Sequence, residues 1–455
     1  MIIIPTVLNR RFNKVLMLPI IVFLLSVILS CTEKRSVSTP NVILIVVDTL
    51  RADHLSTYGY ARNTDPNIAD FAKHAVVFQH AISAAPWTTP SFTSILEGKL
   101  AFNHNMNVPY AKIPEGRILT SYLKSGGYHT ISLQTNMLLT FLRAGDYFDE
   151  TQYYTDDSGA VFLDNLAADK AELWLSRTDN TANRFFFFIG LISPHWAYKT
   201  DNGYLKEFVG DPLYTTLGPM TADIADGRPD RFGCWTYSEL SSELQSVVGM
   251  PQNGKEYYDE ARLYIAGYDS EIKYSDQQIG RILQKLKDTG LYDGSIIIIT
   301  ADHGENMIDH HHYFSHSDNL YQSLLHVPLL IKFPGQTDQK IVAEHVRTID
   351  VLPTVLDYSG ISYSDTDGKS LLPIINGETV NYEERPVISY RVDNSGFEAV
   401  SLIKDNYKLI RVRGTERTAL YNLQVDPRET TDLSAQEPER VSQLKDFLKI
   451  SFRLW

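Results

Sequence analysis

The segment SIIIITADHG, residues 295–304, joins a run of four isoleucines to an acid and an imidazole. Such a continuous apolar run of β-branched residues is typical of a strand that is buried on both faces of a parallel sheet. Asp302 and His303 stand where this strand would end. Because ligands bind beyond the carboxyl ends of the strands in open α/β sheets, we expect both side chains to face a crevice.

Three further apolar runs resemble this strand, and two of them also reach an ionisable side chain. The runs are NVILIVVDTL (41–50), RFFFFIGLISPH (184–195) and HVPLLIKFPG (326–335). Asp48 lies near the end of the first run, and His195 ends the second. Helical periodicity separates the runs, in NIADFAKHAVVF (67–78), ILTSYLKSGGY (118–128) and EIKYSDQQIGRILQKLKDTG (271–290). Alternating strands and helices predict an α/β fold in which helices flank a large, mostly parallel sheet.

The segment 376–455 has a different pattern, with short runs in which apolar and polar residues alternate. The runs are PVISYRV (386–392), FEAVSLIKDNYKLIRVR (397–413) and TALYNL (418–423), and the helical segment ERVSQLKDFLKI (439–450) follows. This pattern predicts a smaller α+β subdomain with an antiparallel sheet, which follows a catalytic domain over 41–375. Residues 200–256 lack periodicity, and we expect them to form a long insertion that covers the crevice and shapes the substrate site.

The N-terminus has the features of a secretory signal. Basic residues precede an apolar stretch of 15 residues, VLMLPIIVFLLSVIL (15–29), and Ser30-Cys31 follows. A membrane-spanning helix needs about 20 residues, so this stretch is short for one. Because ILSC (28–31) resembles a bacterial lipobox, we expect a lipoprotein signal peptide over 1–31, lipidation of Cys31 and a linker over 32–40.

An exported lipoprotein would belong to the bacterial cell envelope, in the periplasm or at the outer membrane, where its lipid anchors it to the membrane. The alternative is an uncleaved N-terminal anchor. The overall composition fits a globular protein, with 43% hydrophobic residues among 455 and a formal net charge of −13 at pH 7. Since nucleic-acid binding depends on concentrated Lys and Arg, we expect no nucleic-acid partner.

Seven segments, in order along the chain, resemble landmarks of the sulfatases, which belong to the alkaline-phosphatase superfamily. They are DTLRADHLSTYGY (48–60), APWTTPSFTSILEGK (85–99), SPHWAYK (193–199), TADHGEN (300–306), LYQSLLHVPLLIKFPG (320–335), TIDVLPTVLDYSGI (348–361) and KDNYKLIRV…LYNLQVDPRETTDL (404–433). Each segment alone is a weak signal, but the ordered set covers roughly residues 40–435. The resemblance implies an alkaline-phosphatase-like fold and a metal-dependent ester hydrolase.

The resemblance assigns Asp48, Asp302 and His303 to a metal ion. Carboxylates and an imidazole from separate elements are a suitable ligand set for one divalent cation. The hydroxyl of Thr88 completes the expected set, and Ca²⁺, Mn²⁺ and Zn²⁺ are all candidates. Taken one at a time, Asp48 has the alternative of capping a helix, and His303 that of a hydrogen-bonded buried imidazole.

The nucleophile position departs from the sulfatase pattern. Sulfatases have Cys or Ser followed by x-Pro-x-Arg, and that Cys or Ser is oxidised to formylglycine, whereas this chain has Thr88-Thr89-Pro90-Ser91-Phe92. Threonine cannot become formylglycine, because its methyl group blocks the aldehyde. We therefore expect Thr88 to act directly, as a hydroxyl that the metal acidifies, similar to phosphodiesterases and phosphonate hydrolases of the superfamily. The alternative is that Thr88 only caps the helix that starts at PSFTSIL (90–96), with Pro90 in its first turn, and both roles can hold at once.

Two imidazoles are expected to take part in catalysis. His195 and His316 match histidine or lysine positions of the family, and protonation of a leaving oxygen is ordinary imidazole chemistry. His316 belongs to DHHHYFSH (309–316), for which a solvated His-rich loop or a second metal site is the alternative.

Two more positions depart from the sulfatase pattern. Thr49 stands where a second metal aspartate is usual, and Gln134-Thr135-Asn136 replaces Lys-x-His. We expect Asn136 and His104 to bind substrate.

Together these residues predict a sulfatase-family hydrolase that cleaves a sulfate, phosphate or phosphonate ester of a small molecule, glycan or lipid. A phospho-threonine at position 88 can be opened by attack of water at phosphorus, whereas a sulfo-threonine lacks the hemiacetal exit of formylglycine. Two alternatives stay open. One is an envelope phospho-group transferase, although such enzymes usually carry several transmembrane helices. The other is a non-catalytic binding protein on a degenerate sulfatase frame.

Overall fold

The computed structural model describes residues 39–104, 106, 118–136, 139, 143–154, 163–181, 183–196, 198, 203–211, 213, 261–312, 314–378 and 385–455. The predicted signal peptide with Cys31, most of the predicted linker and most of the insertion expected over 200–256 lie outside the described residues. Residues 41–455 form one unit, and the boundary between 375 and 376 stays a prediction. Among the described helices, none combines the length and apolar character that a membrane crossing requires.

A sheet of eight strands forms the centre of the described structure. The strands are β1 (Asn41–Val47), β2 (Val76–Ile82), β3 (His129–Gln134), β4 (Glu150–Tyr153), β5 (Phe185–Leu191), β6 (Ser295–Ala301), β7 (His326–Lys332) and β8 (Lys340–Arg347). Their order is β4-β3-β5-β1-β6-β7-β2-β8, and the pairs are parallel except for the two that β7 makes. The prediction of a large, mostly parallel sheet is confirmed, and β7 is reversed within it.

Helices flank this sheet. They are α1 (Pro66–Ala72), α2 (Thr88–Glu97), α3 (Ala101–His104), α4 (Leu119–Ser125), α5 (Asp164–Leu175), α6 (Thr178–Thr181), α7 (Leu205–Val209), α8 (Ala261–Asp288), α9 (Gln322–Leu325), α10 (Val351–Tyr358), α11 (Leu372–Ile375) and α12 (Pro438–Phe452). The long helix α8 packs against α1, α5 and α7. Its residues Ile272, Ile279, Ile282 and Leu286 recur at helical spacing and are at most 1% exposed, so they form its core face.

The central strands are buried on both faces, as their continuous apolar runs indicated. The isoleucines at 296–299 and the phenylalanines at 185–188 are all at most 1% exposed. Full burial of one such side chain contributes about 1.5–3 kcal/mol. The strands that carry the predicted site residues are therefore the best-anchored elements of the sheet.

The segment 67–78, predicted to be helical, is helical only in part. Helix α1 ends at Ala72, and strand β2 begins at Val76. The prediction was wrong for the second half because 76–78 pairs with both β7 and β8. Pairing on two sides of a β-branched run outweighs a short periodic pattern.

The segment 118–128 is likewise shorter as a helix than predicted. Helix α4 ends at Ser125, and Gly127 follows with a φ of 82°, a backbone conformation that favours glycine. Strand β3 then begins at His129 and pairs with β4 and β5. The two glycines thus separate a helix from a strand that the periodicity did not reveal.

The C-terminal segment forms a second sheet of four antiparallel strands. These are β9 (Val387–Val392), β10 (Glu398–Lys404), β11 (Tyr407–Val412) and β12 (Thr418–Asn422), in the order β12-β11-β10-β9. Helix α12 buries Leu444 and Leu448 in the same apolar cluster as Leu402 and Leu409 of the sheet. The predicted antiparallel sheet and closing helix are confirmed.

Candidate active site

The central strands bring three of the predicted site residues together. Strand β1 lies between β5 and β6, and its last residue, Val47, pairs with Leu191 on one side and Ala301 on the other. Because the strand ends are level, the residues that follow β1 and β6 emerge side by side. One potential ligand atom from each of Asp48, Asp302 and His303 lies within 4.8 Å of the other two, and all three side chains are fully buried.

The imidazole of His303 is held in the form that a metal ligand needs. Its Nδ1–H donates to the carbonyl oxygen of Gly304 at 2.8 Å. Its Nε2 lies 3.4 Å from Oδ1 of Asp48 and 3.4 Å from Oδ2 of Asp302. Burial lowers the pKa of His303 well below its ordinary value, so the ring is neutral. An unprotonated nitrogen therefore faces two carboxylates, which is the arrangement that a cation between them would satisfy.

The two carboxyl groups are unsatisfied in a way that also fits a cation. Oδ1 of Asp48 and Oδ2 of Asp302 are buried without a hydrogen-bond partner among the described residues. Burial raises the pKa of Asp48 well above its ordinary value and that of Asp302 to about 7. Buried polar groups are normally hydrogen-bonded, and buried carboxylates are paired or coordinate a metal. These residues therefore fit one divalent cation, although their role as ligands stays a prediction.

Thr88 begins helix α2 next to this cluster. Its Oγ1 lies 3.3 Å from Nε2 of His303, and the residue is 1% exposed. Trp87 occupies the N-cap position, so Thr88 is the first helical residue and not the cap. The alternative that Thr88 only caps the helix is therefore wrong. The backbone N–H groups of Thr88 and Thr89 in the first turn of this helix favour a negatively charged group close to the hydroxyl.

The two predicted catalytic imidazoles adjoin the cluster. The ring centroid of His316 lies 4.8 Å from that of His303 and 5.0 Å from that of His195. Burial lowers the pKa of His195 to about 4, and its Nδ1–H donates to the carbonyl oxygen of Trp196. Burial also opposes a charge on His316, yet the neighbouring carboxylate of Glu305 raises its pKa above the ordinary value. One ring is thus neutral while the other favours the protonated form.

The two predicted substrate-binding residues occupy different surroundings. Asn136 lies at the cluster, where its Nδ2 donates to Oδ2 of Asp48. His104 is buried behind helix α2, and its Nε2 lies 2.9 Å from the hydroxyl of Ser94 and 3.1 Å from the carbonyl oxygen of Pro90. Its Nδ1 accepts from the backbone N–H of Met106. Both ring nitrogens of His104 are therefore used within the protein, and its role in substrate binding stays a prediction.

The Sulfatase family model matches residues 40–361, which include every residue of this cluster. The chain belongs to the sulfatase family. A second model, described as N-sulphoglucosamine sulphohydrolase, C-terminal, matches residues 309–451 of this sulfatase-family chain. The residues that resembled sulfatase landmarks, from 48 to 433, fall within these two matches, and the family identifies the protein as an ester hydrolase.

Similar proteins agree with this family. The chain is 26% identical to arylsulfatase K of Gallus gallus, over 91% of this chain and 83% of that protein. It is 24% identical to the Delta 4,5-hexuronate-2-O-sulfatase of Bacteroides thetaiotaomicron, over 88% and 85%. The structure of the phosphonate monoester hydrolase of Agrobacterium radiobacter has a TM-score of 0.71 at 20% identity, over 90% of this chain and 94% of that one. The same fold therefore occurs in a hydrolase of phosphonate esters.

In this sulfatase-family protein, Phe92 stands four residues after Thr88, where the resemblance expected arginine. Phe92 is fully buried, and its ring centroid lies 6.2 Å from that of Phe188. The aromatic ring is thus part of the apolar core.

Two residues that the sequence did not single out as functional also belong to the site. Glu305 is fully buried, and its Oε1 lies 3.0 Å from Nδ1 of His316. Thr49 donates its backbone N–H to Oδ1 of Asp302 and has a φ of 57°, which is strained for a β-branched residue. The only sequence signal for Glu305 was its place in TADHGEN, two residues after His303.

Proposed function

We propose that this sulfatase-family enzyme hydrolyses an anionic ester of phosphorus, either a phosphate diester or a phosphonate ester, with Thr88 as its nucleophile. The observation that carries the proposal is the position of the Thr88 hydroxyl, 3.3 Å from Nε2 of His303 at the N-terminus of helix α2. Nucleophilic hydroxyls need an activating neighbour, and a buried cluster of carboxylates and a neutral imidazole is suited to hold one.

Asp48, Asp302 and His303, with the hydroxyl of Thr88, would hold one divalent cation. When bound, the cation supplies positive charge that acidifies a nearby hydroxyl and offsets the charge of the ester. Because an imidazole nitrogen is among the ligands, we propose Mn²⁺ or Zn²⁺ and not Ca²⁺, which prefers oxygen ligands. Asn136 supports the set, since its amide fixes Oδ2 of Asp48 and leaves Oδ1 for the cation.

The residues of the chain then divide the chemistry between them. Thr88 attacks phosphorus, and the N-terminus of α2 stabilises the negative charge that develops on the ester oxygens. His316, whose pKa is raised, donates a proton to the leaving oxygen. His195 is neutral and carries its proton on Nδ1, so its Nε2 can accept a hydrogen bond or a proton at the same site. Water afterwards opens the phospho-threonine, with His316 as the base.

The identity of residue 88 favours phosphorus over sulfur. Attack of water at the phosphorus of a phospho-threonine breaks the bond to Oγ1 and frees the threonine, so no additional elimination step is needed. A sulfo-threonine has no free hydroxyl on the same carbon, so it cannot collapse to an aldehyde as a sulfated formylglycine hydrate does. Sulfate ester hydrolysis is the second candidate, because many relatives at similar identity are sulfatases, among them the "Ulvan-active sulfatase" of Formosa agariphila.

A substrate panel tests the proposal on the purified protein with Mn²⁺ or Zn²⁺ added. The panel comprises para-nitrophenyl sulfate, para-nitrophenyl phosphate, bis(para-nitrophenyl) phosphate and para-nitrophenyl phenylphosphonate. We expect the last two to be hydrolysed fastest, and Thr88→Ala to lower kcat by about 10³-fold or more. Thr89→Ala, next to it in the chain, serves as the matched control and should keep most of the activity.

Four results would contradict the proposal in different ways. Faster hydrolysis of the sulfate ester would favour the second candidate. Full activity in Thr88→Ala would exclude Thr88 as the nucleophile. Transfer of the phosphoryl group to an added alcohol in preference to water would support the transferase alternative, and no turnover of any ester would support the non-catalytic one.

We also propose that the protein is an exported lipoprotein of the cell envelope that is anchored through Cys31. The support comes from residues 10–31, where basic residues, an apolar run and a lipobox-like ILSC follow one another. Membrane fractionation of the wild type and of Cys31→Ala tests it, since loss of the lipid should release the variant from the membrane fraction.

A further inference from the structure

Glu305 is a buried carboxylate that lies beside the predicted catalytic residue His316. Its side chain is fully buried, and Oε1 lies 3.0 Å from Nδ1 of His316. Its Oε2 lacks a hydrogen bond of good geometry among the described residues, and the hydroxyl of Tyr198 lies near this carboxylate. The backbone of the same residue is also fixed, because the guanidinium of Arg51 donates to its carbonyl oxygen at 2.9 Å. Burial of a carboxylate costs free energy. A buried carboxylate that is fixed beside an imidazole is therefore expected to act on that imidazole.

We propose that Glu305 is a positioning residue that acts through His316 and holds the ring so that its Nε2 faces the leaving group. The carboxylate accepts from Nδ1–H, which fixes the tautomer and the rotation of the ring and leaves Nε2 for the substrate. Because this role rests on the proposed function, it concerns the same site and the same phosphate or phosphonate ester.

The backbone around His316 is irregular, so the ring needs a contact of its own to fix its orientation. His316 lies in an irregular segment between β6 and α9, where Phe314 and Ser317 have φ values of 44° and 74°. The segment is anchored next to the histidine, since the N–H of Ser317 donates to the carbonyl oxygen of Pro86 at 3.0 Å. The guanidinium of Arg391 in β9 donates to the carbonyl oxygen of Ser317. These contacts fix the backbone, and the contact with Glu305 fixes the ring.

His316 gives up a proton in the first half of the reaction and regains one in the second. Oγ1 of Thr88, which has given its proton to solvent, forms the bond to phosphorus, and the bond from phosphorus to the leaving oxygen breaks. The electron pair of that bond stays on the leaving oxygen, which takes the Nε2 proton of His316. In the second half, water adds its oxygen to phosphorus and returns a proton to Nε2, and the bond from phosphorus to Oγ1 of Thr88 breaks. Its electron pair stays on Oγ1, which recovers a proton from solvent. Glu305 remains a carboxylate throughout.

Glu305→Gln tests this role, because glutamine keeps the size of the side chain and removes its charge. The substrates are phenyl and para-nitrophenyl esters of the class that the wild type hydrolyses. Phenol is the poorer leaving group and depends more on a proton donor. We expect kcat for the phenyl ester to fall roughly 10- to 100-fold, and kcat for the para-nitrophenyl ester to change much less. Glu344→Gln, an exposed position in β8, is the matched control and should change neither.

A double-variant comparison separates positioning from a direct role. If Glu305 acts through His316, Glu305→Gln should cost little further activity in a His316→Gln background. An equal loss for both leaving groups, together with a lower metal content, would overturn the proposal and show that Glu305 acts on the cation. Full additivity of the two losses would overturn it as well.

A measurement without turnover distinguishes failure of this inference from failure of the proposed function. In protein with isotope-labelled histidine, a carboxylate-bound Nδ1–H should give a strongly downfield proton resonance. We expect Glu305→Gln and His316→Gln each to remove it, and Glu344→Gln to leave it. If the wild type hydrolyses none of the esters yet shows this resonance, the proposed function fails while the contact stands. If the resonance is absent from the wild type, the positioning role fails.

Discussion

A single buried carboxyl group, that of Glu97, is expected to make the stability of this protein depend on pH. Glu97 is the last residue of α2 and is 7% exposed. Burial raises its pKa to about 7. Because the folded state keeps this proton at pH values where the unfolded chain has lost it, the free energy of unfolding falls as pH rises through about 4.5 to 7. The stabilising contribution is complete below this window and lost above it.

Glu97→Gln removes this titration and should therefore stabilise the protein only at high pH. We expect a gain of about 2 kcal/mol in the free energy of unfolding at pH 8 and no gain at pH 4. Urea unfolding of both proteins at the two pH values measures it, with the exposed Glu344→Gln as control. An equal gain at both pH values would point to packing and not to ionisation as the cause.

The site residues were predictable where the neighbouring sequence indicated the role of a residue. They were not predictable where the role depends on a contact with a residue elsewhere in the chain. Asp48 and the Asp302-His303 pair follow apolar runs, and the rule that ligands bind beyond strand ends was enough to predict that they converge. Glu305 was missed because its meaning depends on a contact with His316, 11 residues further along an irregular segment. No periodic pattern reports such a contact.

At the scale of elements, a buried ion pair within the C-terminal segment fixes the carboxylate through which this segment contacts α9. The ammonium of Lys408 in β11 lies 2.7 Å from Oε1 of Glu429, and both side chains are at most 1% exposed. Oε2 of Glu429 accepts the first backbone N–H of α9, from Gln322, at 2.6 Å. Since α9 leads from the segment of His316 into β7, the small sheet supports the residues around the site.

Lys408→Met should destabilise the protein strongly, because it leaves the carboxylate of Glu429 buried without its cation. Removal of one partner of a buried pair costs about 3–5 kcal/mol. Combining it with Glu429→Gln, which keeps an acceptor for Gln322, should recover a large part of the loss. Urea unfolding measures both variants.

An exposed ion pair provides the control for this prediction. Arg413 and Glu398 form a pair in which the arginine side chain is 57% exposed, and such surface pairs contribute about 0–1 kcal/mol. Arg413→Met should therefore have a small effect. If Lys408→Met cost no more than Arg413→Met, the buried pair would not be what holds the small sheet to α9.

The elements were predictable where a local pattern marked them, as the continuous apolar runs did for β1, β5, β6 and β7 although the partners of β1 are distant in sequence. The antiparallel strands β9–β12 and helix α12 were correctly predicted, because hairpin-connected strands alternate in a simple pattern and pair with their neighbours. Strand β2 was taken for part of a helix, because its pairing partners β7 and β8 begin at residues 326 and 340. A pattern read over a few neighbouring residues contains no information about pairing partners that far along the chain.

On the scale of the whole molecule, the candidate metal-binding cluster of Asp48, Asp302 and His303 links parts of the chain that are far apart in sequence. Asp48 and Asp302 are separated by 254 positions, and they meet only because β1 and β6 pair along their full length. Two carboxylates facing each other in a buried cluster repel, and the N–H of Thr49 and the amide of Asn136 offset only part of that repulsion. The cation that the site fits would bind the folded state and not the unfolded chain.

Metal binding should therefore raise the thermal stability of the entire fold. Protein stripped with a chelator is expected to have a lower Tm, and Mn²⁺ or Zn²⁺ at 100 to 1,000 times its Kd should add about 3–4 kcal/mol to the free energy of unfolding. Asp302→Asn should lose this response, yet at pH 8, above the pKa of about 7 of Asp302, its metal-free form should be at least as stable as the metal-free wild type, because a buried ionised carboxylate is gone. Differential scanning calorimetry of the wild type and of Asp302→Asn, each with and without metal, measures both effects.

Two outcomes would contradict this prediction. A metal response that survives in Asp302→Asn would place the stabilising ion elsewhere in the protein. A metal-free variant that is less stable than the metal-free wild type would show that the carboxylates do not repel.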